Sequence, residues 1–137
     1  MKVPYSSGSK KGSYRGLQSS VRRLKTPAID TWENEYPDKD YWIEFTISEF
    51  TCICPKTGLP DFAVFTIRYI PDKLCIELKS FKEYFVFYRD VGIFHEHVAN
   101  KILDDFVAAC KPRKAEIVSD FNIRGGIHTV VSAQYES

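Results

Sequence analysis

No stretch of this 137-residue chain comes near the roughly 20 consecutive apolar residues that span a bilayer. The first ten residues, MKVPYSSGSK, also lack the apolar centre of a signal peptide, so the expected compartment is the cytosol. Net charge is nearly absent. Nineteen Lys and Arg against eighteen Asp and Glu leave +1, which provides no global field toward nucleic acid or membrane and makes any anion site a local one. No Gly-x-Gly-x-x-Gly follows a strand and no Walker sequence occurs, so a nucleotide cofactor, if bound, lies outside a Rossmann crevice. There is no internal repeat. Cysteines are few: Cys52, Cys54, Cys75 and Cys110 should be reduced in the cytosol, which favours catalysis or metal binding over a disulfide framework.

What is present fits one compact domain. A chain with 44% hydrophobic and 15% aromatic residues can bury one aromatic-rich core, and its length is too short for two ordinary domains. Residues 1–24 are rich in Ser, Gly, Lys and Arg, contain no acid and show no period. They read as a flexible basic arm ahead of a domain over 25–137, either a solvated terminus or a tail that touches RNA.

Periodicity then sets the elements. YWIEFTISEF, from Tyr41 to Phe50, alternates with Ile43, Phe45 and Ile47 on one face and Glu44, Thr46 and Ser48 on the other, as a half-buried strand does. The turn-rich stretch Cys54 to Asp61 separates it from a second alternating run, Phe62 to Ile70, and the pair reads as a hairpin with a wide loop. Phe81, Tyr84, Phe85 and Tyr88 recur at helical spacing, with Ser80 as the expected N-cap. Val98, Ile102, Phe106 and Ala109 form the stripe of a second helix, from about Phe94 to Cys110, which Pro112 ends. Alternation returns at Ala115 with Ile117, Phe121 and Ile123 apolar, and Arg124-Gly125-Gly126 divides it from a last strand, Ile127 to Gln134. The order ββααββ predicts an α+β domain whose four-stranded antiparallel sheet carries two helices on one face. Pairing of free sheet edges between subunits into a barrel is the expected way to blunt them.

Several residues are candidates for chemistry. Cys54 opens the loop and Asp61 closes it, so the hairpin can bring a thiolate nucleophile beside a carboxylate that shuttles its proton. The alternative is a small buried cysteine and a turn acid. His95 and Glu96 start the second helix. Glu96 is either a helix-terminus acid or, if it faces a cavity, an acceptor for two parallel N–H donors of a guanine-like edge. Zinc is weighed against Cys52-Ile53-Cys54 and His95-Glu96-His97, but helical residues two apart diverge, so the two histidines make a poor ligand pair. Lys79, Lys82 and Arg124, with Gly125-Gly126, are candidate phosphate contacts, or else charges on solvated faces.

Three segments resemble the NADPH-dependent 7-cyano-7-deazaguanine reductases, the QueF family of the tunnelling-fold (T-fold) superfamily. EFTCICPKTGLPDF, Glu49 to Phe62, is similar to the family's nucleophile loop. ELKSFKEY, Glu77 to Tyr84, is similar to its reductase signature, with Glu83 where the family has Leu or Tyr. Phe94-His95-Glu96 matches the superfamily's base-anchoring element, and Arg124-Gly125-Gly126 agrees with a weaker feature near the cofactor. The match spans Glu49 to Ile127 and resembles the short, single-domain branch.

The resemblance implies a T-fold that assembles into barrels with sites between neighbouring subunits. It implies reduction of 7-cyano-7-deazaguanine to its aminomethyl form with two NADPH, through a cysteine thioimidate, in queuosine tRNA-modification biosynthesis, with no metal needed for the chemistry. Cys54 is then the nucleophile, Asp61 the acid and His95 a later proton donor. Glu96, with Glu77 and Ser80, contacts the substrate, and Lys79, Lys82, Arg124 and Gly125 contact the cofactor. The rivals are an amidine-forming relative that uses the same thioimidate without NADPH, which ELKSFKEY argues against, and a small RNA-binding module built on the basic arm and aromatic side chains.

Overall fold

The computed structural model describes residues 18–137. Four strands form one antiparallel sheet: β2 (Ile43–Ile53), β3 (Pro60–Ile70), β5 (Lys114–Phe121) and β6 (Val130–Glu136), in the order β2-β3-β5-β6. Two helices, α1 (Leu78–Val86) and α2 (His95–Cys110), cover one face, with a 3-10 turn at Phe87–Asp90 between them. A second, two-stranded sheet pairs β1 (Thr31–Glu33) with β4 (Leu74–Ile76). Three-residue strands carry too little alternation to stand out in a sequence, and this pair was not expected. No described helix is long and apolar enough to cross a membrane.

The core lies between sheet and helices. Phe65, Ile67 and Tyr69 from β3, Ile117 and Phe121 from β5, Phe81, Tyr84 and Phe85 from α1, and Val98, Ile102 and Phe106 from α2 are all buried. Burial of a side chain of this size contributes about 1.5–3 kcal/mol each, and edge-to-face pairs such as Tyr69–Phe106 (4.9 Å, 82°) fix how they interlock.

A bulge in β2 sets up the site. Ile47 pairs with Phe65 and Phe50 with Ala63, so Ser48 and Glu49 together oppose Val64. The extra residue shifts the inward face from Ile43, Phe45 and Ile47 to Phe50 and Cys52. Alternation read through to Phe50 misses this change of phase. β3 needs no bulge, and its inward face runs from Asp61 through Ala63, Phe65 and Ile67 to Tyr69.

Three expected boundaries change. The N-cap of α1 is Glu77, not Ser80: its carboxylate oxygens accept Ser80 N–H and Lys79 N–H, both at 2.8 Å, and these bonds lower its pKa. The last strand starts at Val130, because Asn122 to Thr129 lead into and out of a tight turn, and Ile123 is 66% exposed instead of facing the core. Of the arm expected over residues 1–24, residues 1–17 lie outside the described residues. Gln18, Val21 and Leu24 are buried against the domain, with a 3-10 turn at Val21–Arg23, so the packed chain begins before residue 25.

Candidate active site

β2 ends at Ile53, and Cys54 opens a loop that closes as a single helical turn. Gly58 N–H donates to the Cys54 carbonyl at 2.9 Å, Cys54 N–H donates to the Leu59 carbonyl at 2.9 Å, and Gly58 takes a left-handed φ of +73°. The turn aims the backbone N–H groups of Lys56 and Thr57, with the Thr57 hydroxyl, at the Cys54 thiol, much as a helix start aims its N–H groups at a cap. Partial burial raises the Cys54 pKa, but those donors and the positive charge of Arg124 outweigh it and hold the thiol below its usual value. Cys52, two residues earlier, is fully buried, and burial, helped by the neighbouring Cys54, pushes its thiol up to about 12. One cysteine is poised as a thiolate and the other is silent. All four cysteines are free thiols.

Asp61 stands on the inward face of β3, only 4% exposed. Its two oxygens have different partners: Oδ1 accepts from the Arg124 guanidinium, and Oδ2 lies 3.1 Å from His95 Nε2. With Asp61 ionised, the imidazole donates its Nε2–H. His95 lies flat on Phe121, the last residue of β5, with ring centroids 3.6 Å apart and 8° between planes. Burial lowers the His95 pKa against the opposing pull of Glu96.

Arg124 reaches Asp61 from the hairpin between β5 and β6. Arg124 and Ile127 exchange backbone hydrogen bonds of 3.0 Å, and Gly125 and Gly126 take φ of +58° and +78°, the two left-handed residues of a type I′ turn. A Cβ at either glycine would meet nothing within 4 Å, so the sign of φ demands glycine here and not a crowded backbone approach. Arg124, a candidate phosphate contact, lies in this chain beside Asp61 and Cys54.

Cys54, Asp61, Phe94, His95, Glu96 and Arg124 line one cavity of about 320 Å³. Glu96 is exposed in the first turn of α2, and its carboxylate makes no hydrogen bond or ion pair among the described residues, which leaves both oxygens available to a ligand. His97 turns away, with Nδ1 2.9 Å from Gln18 Oε1, so the two histidines diverge as helical spacing expects.

The signature helix stays apart. Glu77 is occupied as the cap of α1, and buried Ser80 accepts Asp30 N–H at 2.8 Å and donates to the Glu77 carbonyl at 3.1 Å. Neither residue lines the Cys54 cavity of its own chain. Lys79 and Lys82 are exposed. Lys82 borders a larger cavity of about 490 Å³ between the first half of β2 and α1, with Leu78, Phe81, Phe85 and Arg89. No cysteine lines that cavity.

Three contributors escaped the sequence reading. Thr57, three residues after Cys54, has the spacing of a cap partner and was legible in principle. Phe121 as the platform for His95, and Gln18 as the partner of His97, depend on contacts distant in sequence and left no local signal.

The profile of the QueF-like protein family matches residues 60–137. An NADPH-dependent 7-cyano-7-deazaguanine reductase from Elusimicrobium minutum is 60% identical over 112 residues, 82% of this chain and 84% of that protein. A protein of the same name from Chloroherpeton thalassium is 54% identical over 114 residues, 83% of this chain and 98% of its own length. The crystal structure of an archaeosine synthase QueF-Like in the apo form superposes with a TM-score of 0.67 at 21% identity, over 72% of this chain and 97% of that one, and shows a shared fold.

Proposed function

This chain belongs to the QueF family of NADPH-dependent 7-cyano-7-deazaguanine reductases, and we propose that it reduces that nitrile to the aminomethyl product through a thioimidate on Cys54. The observation that carries the proposal is the convergence of one poised thiol with Asp61, His95, Glu96 and Arg124 on a single cavity.

A nitrile carbon is electrophilic but reacts poorly with hydride in water, so a soft nucleophile must add first. The Cys54 thiolate forms the C–S bond, and the electron pair of one C–N π bond moves to nitrogen, which needs a proton. Asp61, bonded at both oxygens by donors, receives a proton before it gives one. It takes the thiol proton and delivers it to the nitrile nitrogen. Thiol and nitrile then give the neutral thioimidate with no proton drawn from solvent. Glu96 accepts the paired N–H groups of the guanine-like edge and holds the nitrile over Cys54.

NADPH, when bound, supplies the hydride, and conversion of a nitrile to an amine takes two. Lys82 and Arg89 in the lining of the 490 Å³ cavity, with Lys79 exposed on the same helix, suit a phosphate-bearing group, and Leu78, Phe81 and Phe85 offer a flat ring system an apolar wall in a lining that also holds Glu44 and Glu49. Between the two reductions Cys54 leaves as thiolate, and the enclosed site keeps the resulting imine from hydrolysis. His95, hydrogen-bonded to Asp61, takes up a proton from solvent and, as imidazolium, passes it to the nitrogen that the second hydride leaves basic. Because the helix carrying Lys79 and Lys82 lies away from Cys54 in one chain, the reading includes a homo-oligomer in which neighbouring subunits complete the site. Queuosine biosynthesis on tRNA is the setting this reaction fits.

Absorbance of NADPH on mixing the protein with 7-cyano-7-deazaguanine tests the proposal. Oxidation of two NADPH per nitrile is expected. A mass-detected adduct on Cys54 without any oxidation would move the reading to an amidine-forming enzyme, and neither signal would end it.

A further inference from the structure

Gln18 is 8% exposed, and its side-chain amide meets three groups at the entrance of α2. Nε2–H donates to the Gly92 carbonyl at 3.2 Å, while Oε1 accepts Phe94 N–H at 3.3 Å and faces His97 Nδ1 at 2.9 Å. The segment it grips, Val91 to Phe94, is itself strand-like. On its other side Ile53 N–H donates to the Val91 carbonyl at 2.9 Å and Ile93 N–H donates to the Ile53 carbonyl at 3.0 Å, a parallel bridge between Ile53 and Gly92.

A strand presents alternate peptide groups to either side. Ile53 satisfies the groups of Val91 and Ile93, and the groups of Gly92 and Phe94 point the opposite way. They lie at a segment whose residues Val91, Gly92 and Ile93 are buried, where backbone groups need partners. One amide side chain has the same donor and acceptor as a peptide group, and Gln18 stands where the next strand's peptide would be. Phe94 has no side-chain cap of its own, so this bond also fixes the point where the chain turns into the helix that carries His95 and Glu96.

We infer that Gln18 is a positioning residue of the active site. It holds the 91–94 segment between itself and the residue before Cys54, and through Phe94 and His97 it sets where Glu96 stands over the nitrile. The inference rests on the proposed role of Glu96, and it makes the segment before residue 25 a part of the site. Cys54, held by its own loop, and the α1 cations are outside its reach.

The test is calorimetry of nitrile and of NADPH binding to the wild-type protein and to Gln18→Met, which keeps the length and removes the amide, with alkylation of Cys54 measured alongside. Nitrile affinity is expected to fall about tenfold, the loss of hydrogen bonds to buried backbone groups, with NADPH affinity and the alkylation rate unchanged. Unchanged nitrile affinity, or an equal fall for both ligands, overturns the inference. Amide exchange of Phe94 in the wild-type protein decides it if the variant does not fold. An N–H held by Gln18 exchanges slowly, as Ile93 does, and exchange at the rate of an exposed amide is the overturning result. A wild-type protein that binds no nitrile refutes the reading of Glu96 instead, and Phe94 exchange still decides whether Gln18 holds the segment.

Discussion

The end of the sheet at Cys54 and the groove under α1 treat polar groups in opposite ways. Around α1, Glu77 caps the helix and Ser80 ties its first turn to Asp30, so these two polar side chains serve the backbone, and the groove beside them mixes apolar wall with the charges of Lys82, Arg89, Glu44 and Glu49. At the other end a buried carboxylate, an imidazole, a guanidinium and a thiol held below its usual pKa serve one another, and the Glu96 carboxylate has no hydrogen bond or ion pair among the described residues. The first arrangement stabilises a helix. The second stores charge where burial makes it costly, which a fold tolerates only with partners in place, and it marks where chemistry is done.

The sharpest way to break the comparison is at the two cysteines that lie two residues apart. Cys54→Ala should abolish both adduct and turnover, and Cys52→Ala should keep turnover near wild type, because one thiol is held low and the other is pushed up to about 12 in the core. Mass spectrometry of the nitrile adduct with steady-state rates of both variants checks this. Equal loss in the two, or an adduct that survives without Cys54, would sink the nucleophile assignment.

Arg124→Met comes next. It leaves Asp61 buried with His95 alone, and adduct formation measured without NADPH should slow about 100-fold, the scale of lost acid–base assistance. Unchanged adduct formation with a raised KM for NADPH would return Arg124 to the α1 side of the comparison, as a cofactor contact. Lys82→Ala should do the reverse, raising the KM for NADPH about tenfold, as loss of one charged contact does, with no change in adduct formation. A slower adduct in that variant would mean that the two regions are one site within a single chain.

The α1 side was largely legible in the sequence and the Cys54 side only in outline. Helical spacing of Phe81, Tyr84, Phe85 and Tyr88, and alternation from Phe62 to Ile70, are local signals that burial then obeyed. Cys54, Asp61, His95 and Glu96 were found through their motifs, and the structure brings them to one cavity. The contacts that tune them were hidden for a physical reason. Arg124 meets Asp61 across 63 positions, His95 lies on Phe121, and Gln18 reaches His97 from what reads as a basic arm. None of these pairings has a period, and the bulge at Ser48 and Glu49 that turns Cys52 inward looks, in the sequence, like two more exposed strand residues.

The smallest expected effect isolates how the loop poises its thiol. Thr57 contributes a hydroxyl and a backbone N–H to Cys54, and Thr57→Val removes only the hydroxyl. The rate of Cys54 alkylation against pH should inflect below the ordinary thiol range in the wild-type protein, and the inflection should rise in the variant, which keeps the N–H groups of Lys56 and Thr57 and the charge of Arg124 but loses the hydroxyl. Turnover near neutral pH should then fall only a few-fold, with the thiolate fraction. The sign carries over to stability: a pKa lowered by folding contributes stabilisation that is present above the unfolded thiol's pKa and is lost as pH falls through the folded value. An inflection that stays in place in Thr57→Val would assign the poise to Arg124 and the backbone alone, and would make the closed turn at Gly58, rather than the Thr57 hydroxyl, the part of the loop on which the nucleophile depends.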